Sequence, residues 1–276
     1  AASAVALYQS SRPLNALLND RARALFGHVA LYLHHQGIEP GEPGLTVGAM
    51  KEHCVQLDLC SRGRCEAMLA LMRATGLLAP APDPDRRKRL LVPTEKLISL
   101  HRVRWDAHFA AMRSVLPRAT AYSAAIMDPD FVRAFVIALG RRFVAGLRVL
   151  DSAPELGSLA ERNAGIVILF SLALSGDKNG PFPPREPVPL SINALAKRFS
   201  VSRKHVLTLL RDAERQGLLQ RCGPGDSEIV LLPPGRDALE AMLATMFLYL
   251  AECGDEAMRS CARGASPPMS TTARAG

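Results

Sequence analysis

Apolar residues recur at helical spacing along most of the chain, and at two places they recur in the same pattern. Leu25, Val29, Tyr32 and Leu33 share one face of a segment from Arg21 to Gln36, which Gly37 closes. After a Gly41 to Gly44 turn, Val47 to about His53 predicts a short second helix, and Ser61 opens a third. The prolines of APAPDPDRRKRLLVPTEK exclude a helix after Leu78, while Arg89 to Val92 suits a returning strand. Thr94 and Glu95 then begin a helix that runs through Trp105 towards Leu116. Asp130 to Leu150 predicts a long helical segment that joins the two halves of the chain. In the second half, Glu161 to Ser175 is a very apolar helix and Gly180 to Pro189 a Pro-rich linker. Ser191 caps Ile192 to Phe199, and Ser200-Val201-Ser202 forms a turn. A further helix, a hairpin from Leu219 to Leu232 and a helix from Asp237 to Glu252 complete the order.

The repeated pattern lies in SRGRCEAMLALMRATGLL, residues 61–78, and SRKHVLTLLRDAERQGLL, residues 202–219. Aligned without gaps, they share Ser, Arg, an internal Leu and the closing Gly-Leu-Leu. Cys65, Met68, Leu69 and Met72 match Val206, Leu209, Leu210 and Ala213, a spacing that buries one helix face. Arg62 and Arg64, like Arg203 and His205, are expected to point outward together. A Ser-capped helix with a basic, exposed start is what insertion into a DNA groove requires. About four more residues separate Thr46 from Ser61 than Ser191 from Ser202, so the first copy needs a distorted turn or a longer second helix.

Composition narrows the classes. A chain of 276 residues has room for two cores, and with only 5% aromatics those cores rest on Leu, Val, Ala and Met. A net charge of +8 favours a polyanionic partner, and much of it sits on the two repeated units. The six cysteines include no CxxC pair, so reduced thiols in the cytoplasm are expected. Cys54, Cys60 and Cys65, beside His53, lack the spacing of a metal tetrad, and neither a metal nor another cofactor is expected. The stretch from Ala1 to Ala6 carries no basic start, and the apolar run from Ala164 to Leu174 is too short to span a bilayer. With no phosphate loop, carboxylate pair or nucleophile elbow visible, an enzyme is not expected either.

The segment from Asp83 to Lys96, DPDRRKRLLVPTEK, resembles the wing and following helix start of MarR-family winged-helix transcription regulators. Leu190 to Leu219 is similar to the more general helix-turn-helix pattern of bacterial regulators. The resemblance implies a mainly α fold with two winged helix-turn-helix units, small β-hairpin wings and joining helices. It divides the chain into an arm, 1–20, a first unit, 21–116, a connector, 117–154, a second unit, 155–252, and a disordered tail, 253–276. Family members usually carry one unit per chain and pair as homodimers, so the tandem suggests a fused pseudo-dimer. The expected partner is double-stranded DNA, held by Ser61, Arg62 and Arg64 with Arg86, Arg87, Lys88 and Arg89 in the first unit. In the second unit the expected contacts are Ser202, Arg203, Lys204, His205 and Thr208, whereas the second wing, RCGPGDSEIVLL, lacks a basic tip. His101, Trp105, His108 and Met112 form a stripe where the family binds small-molecule effectors, a stripe that packing alone also explains. Two rival readings are a tandem winged-helix replication initiator and a protein-interaction scaffold.

Overall fold

The computed structural model describes residues 20–37, 44–81, 90–177 and 179–264, together with Ala2 and Val5. It is mainly helical, with two small antiparallel sheets among these residues. The first half runs α1 (Asp20–Gln36), α2 (Val47–Gln56), α3 (Arg62–Ala74), β1 (Leu78–Pro80), β2 (Leu91–Pro93) and α4 (Glu95–Met112). Next come α5 (Ala119–Ala125), α6 (Pro129–Val144) and a short α7 (Gly157–Ala160). The second half follows as α8 (Gly165–Ala173), β3 (Val188–Pro189), α9 (Ile192–Phe199), α10 (Arg203–Arg215), β4 (Leu219–Cys222), β5 (Glu228–Leu231) and α11 (Pro233–Gly264).

The two halves repeat one order of helix, strand, helix, helix and hairpin. In the second, the sheet order is β3-β5-β4, with Val188 opposite Ile229 and Leu219 opposite Leu231. In the first, β1 pairs with β2 (Ala79 opposite Val92), and the third strand shrinks to one antiparallel bridge between Thr46 and Leu90. The longer connection in the first copy is divided evenly: α2 has ten residues against eight in α9, and the turn before α3 is longer too. Asp58 and Ser200, one in each turn, have left-handed backbone (φ 50° and 54°).

The shared Gly-Leu-Leu is a helix stop. Gly76 and Gly217 adopt φ near 70°, where their N–H groups bond to Arg73 and Glu214 carbonyls. The N–H groups of Leu77 and Leu218 reach Met72 and Ala213, so each helix ends in a Schellman motif whose first Leu folds under it. The second Leu of each triplet starts the hairpin.

Each half has its own core. The first gathers α1 to α6, with Phe135 of α6 at its middle, in edge contact with Trp105 and Phe109. The second gathers Val5 and α8 to α10, including Phe170, Phe199 and Leu209. The element common to both is α11. Its Ala238, Leu239 and Met242 are buried in the second core, and its Leu250, Ala251, Cys253 and Ala257 in the first.

This corrects two expectations. The segment from Asp130 to Leu150 is not one continuous helix: its helix stops at Val144, with most of its apolar residues in the first core, and only Val149 and Leu150, in the turn beyond it, pack against the second. A tail starting at residue 253 does not hold either, because α11 continues to Gly264 with Cys253 and Ala257 fully buried. Residues 265–276 lie outside the described residues.

Candidate nucleic-acid interface

Both candidate reading helices begin as the sequence predicts. Ser61 Oγ accepts from the Arg64 N–H at 3.4 Å, and Ser202 Oγ accepts from the His205 N–H at 3.0 Å. Cys65, Met68, Leu69 and Met72 are buried on α3, as are Val206, Leu209, Leu210 and Ala213 on α10. Ser61, Arg62, Arg64, Ser202, Arg203, Lys204 and Thr208 are exposed.

The outward faces differ from the expected ones. Residues two apart lie roughly 200° apart around a helix, so Arg62 and Arg64 flank α3 on opposite sides, as do Arg203 and His205 on α10. His205 turns back: its Nε2 is 2.7 Å from the Asn163 carbonyl, in the loop before α8, and it is only partly exposed. His205 therefore does not point outward with Arg203 as the spacing predicts. The positions opposite the buried face of α10 are Lys204, Thr208, Arg211 and Arg215, all exposed. Arg211 and Arg215 escaped the sequence reading, although the same periodicity selects them. Arg215 pairs with Asp212, which also meets Arg162 at 2.5 Å. On α3 the equivalent positions are Gly63, Ala67, Ala70 and Ala74, and an exposed pair, Lys51–Glu66, ties α2 to α3 at 2.7 Å. The cationic outward face thus belongs to α10.

Arg86, Arg87, Lys88 and Arg89 lie outside the described residues. The pair of β1 and β2 is held to α3 by the residues that follow β2. Thr94 Oγ1 donates to the Gly76 carbonyl at 2.7 Å and Lys96 Nζ to the Thr75 carbonyl at 2.8 Å, satisfying the open end of α3. Glu95 accepts from Ser99 and Arg102. The Thr-Glu-Lys sequence therefore locks α4 onto α3. In the second hairpin, Arg221 pairs with Glu214 at 2.9 Å and Asp226 at 3.1 Å, which leaves its charge compensated.

The stripe on α4 divides. Trp105 and His108 line a cavity of about 420 Å³ where the two cores meet. His101 and Met112 are buried in packing and are not among its lining residues, which corrects their assignment. The His101 ring is wedged between His28 and Trp105, with centroids 4.5 and 5.2 Å away, so it fills the core. Burial keeps it neutral, with its pKa well below the usual histidine value. His108, lowered to about 4 mainly by burial, bonds through Nδ1 to the Arg104 carbonyl. Arg104 and His28 also line the cavity and were missed, because a single Arg or His on an amphipathic helix carries no signal by itself. The other walls come from Leu139, Val167, Phe170 and Met246.

Cys54 and Cys65 are buried in the first core, Cys60 is partly exposed, and His53 Nδ1 contacts the Ala49 carbonyl of its own helix. Among the described residues, no group of three or more His, Cys, Asp or Glu is arranged to hold a metal ion. No single helix among them is long and apolar enough to cross a membrane; only a sharply bent pair, Pro154–Ala160 with Gly165–Ala173, has the combined length and apolar composition. Compared with protein families, characterised proteins and solved structures, the chain matches none.

Proposed function

We propose that the chain is a DNA-binding transcription regulator, similar in kind to MarR regulators, that presents two winged-helix units to duplex DNA. The observation that carries this reading is the face of α10, where Lys204, Thr208, Arg211 and Arg215 project from a Ser-capped helix. That helix follows a tight turn and precedes a hairpin in a sheet of order β3-β5-β4, the arrangement in which a winged helix enters the major groove. Under this reading α10 supplies the main groove contacts. In the first unit, Arg62 and Arg64 flank α3, and the basic segment 86–89 reaches the backbone or the minor groove. Because the two helices present unlike faces, the half-sites are unlike too.

The test is titration of the protein with random duplex DNA at several salt concentrations, followed by selection of bound sequences from a random pool. Binding that weakens steeply with salt, together with an enriched asymmetric site, is expected. Absence of binding at low salt would overturn the reading. One observation favours a second reading, a protein-interaction scaffold: the compensated Arg221 gives the second hairpin no basic tip. Salt-independent affinity for DNA no greater than for other surfaces would favour that scaffold.

A further inference from the structure

We propose that the cavity between the two cores is a binding site for an apolar organic acid, with the carboxylate held by Arg104. Its volume, about 420 Å³, is in the range of sites that enclose small organic ligands. Its walls are drawn from both halves of the chain: Leu139 and Phe143 of α6, Val167 and Phe170 of α8, Met242 and Met246 of α11. Such a lining suits a hydrocarbon body. Methionines, with flexible thioether side chains, adapt to its shape.

Into this apolar space α4 introduces a cation. The Arg104 guanidinium lies against His28, with Nη2 2.7 Å from the imidazole Nε2. That same Nε2 accepts from the Trp105 indole N–H at 3.3 Å, which keeps His28 an acceptor there and fixes the ring beside the guanidinium. Among the described residues no carboxylate pairs with Arg104, whereas Arg102, Arg118, Arg142 and Arg221 all have one. Burial lowers the Arg104 pKa to about 10, so the side chain remains charged at neutral pH. A half-buried guanidinium without a carboxylate partner is costly beside an apolar space, and a carboxylate is the group that relieves the cost, through two parallel N–H···O bonds. Two other charged side chains, Arg148 and Asp151, also line the cavity. Arg148 stacks on the Phe143 ring at 4.0 Å and donates to the Phe143 carbonyl, and Asp151 is exposed to solvent. His108, neutral at physiological pH, does not compete for the anion.

The site carries its own reporter. Trp105 is the chain's single tryptophan and part of the cavity wall, so its emission reads occupancy directly. The full chain is titrated with octanoate, decanoate and dodecanoate below their micellar concentrations, and with the matching alcohols. Trp105 fluorescence and calorimetry are recorded together, without DNA, so the outcome is independent of the DNA-binding reading. Saturable one-to-one binding of at least one acid, at least tenfold tighter than its alcohol, is expected. Arg104→Gln should remove that preference, bringing acid and alcohol within about threefold of each other. If the variant does not fold, the acid-to-alcohol ratio of the parent chain still decides. Equal affinity for acid and alcohol, or neither heat nor a change in emission with any of the three acids, would overturn the proposal. So would an Arg104→Gln chain that folds and keeps the preference.

Discussion

His35, on the last turn of α1, has both ring nitrogens buried without a hydrogen-bond partner among the described residues. Burial first, then the neighbouring His34 and Arg133, lower its pKa to about 4. The folded state therefore refuses a proton that the unfolded chain accepts near pH 6.5, so this residue's contribution to stability falls as pH drops from 6.5 towards 4. His35→Leu should raise stability by about 1 kcal/mol at pH 7, and the gain should widen at pH 5. Urea unfolding at the two pH values checks this, and equal gains at both would refute the linkage. On α10, a residue's reach is decided by its angle around the helix. Lys204→Ala and Arg211→Ala should each weaken binding to all duplexes and flatten the salt slope by about one unit. His205→Ala should leave the slope unchanged, because its imidazole is already held at the Asn163 carbonyl. A slope change equal to that of Lys204→Ala would place the ring on the nucleic acid instead.

At the scale of elements, the repeat was readable because its residues act locally. Ser61 and Ser202 cap their helices, and Gly76 and Gly217 end them by bonds within a few residues. No side chain crowds Gly217, so the cost of Gly217→Ala is conformational alone, about 1–2 kcal/mol, measurable by chemical denaturation. A loss below about 0.3 kcal/mol would mean that the helix end relaxes to another stop. What sequence hid was set by distant contacts. Gly254 reads as a helix end, but an added Cβ there would sit 3.0 Å from the Tyr122 ring. The glycine admits α5 against α11, and the Tyr122 hydroxyl donates to Asp255 beside it. Nothing between residues 250 and 258 announces a partner more than a hundred positions earlier. Arg104 was overlooked for a similar reason: its neighbour His28 lies on another helix. The Thr-Glu-Lys sequence was visible, yet its task of closing α3 emerged only from the bonds of Thr94 and Lys96.

For the whole molecule, α11 is decisive. Its 32 residues span roughly 48 Å at helical rise, enough to pass from one core to the other. A chain ended after Glu252 should lose about 3 kcal/mol, counting two small buried side chains and the Tyr122–Asp255 bond. Trp105 emission and far-UV circular dichroism should give coincident unfolding curves for the intact chain and separated curves for the shortened one. Coincidence in both would show that the cores are coupled by other elements. The same helix sets a gauge. Two DNA-facing units hung on a hinge can adjust to targets of varied length, but units sharing one helical backbone cannot, since sliding either would pull Met242 or Leu250 out of its core. Under the proposed DNA-binding reading, tolerance to spacer length would then be limited by the bending stiffness of this helix and of the contacts between the two cores. Under that reading, operators whose two halves lie half a helical turn out of phase should be closed to it, however well each half matches.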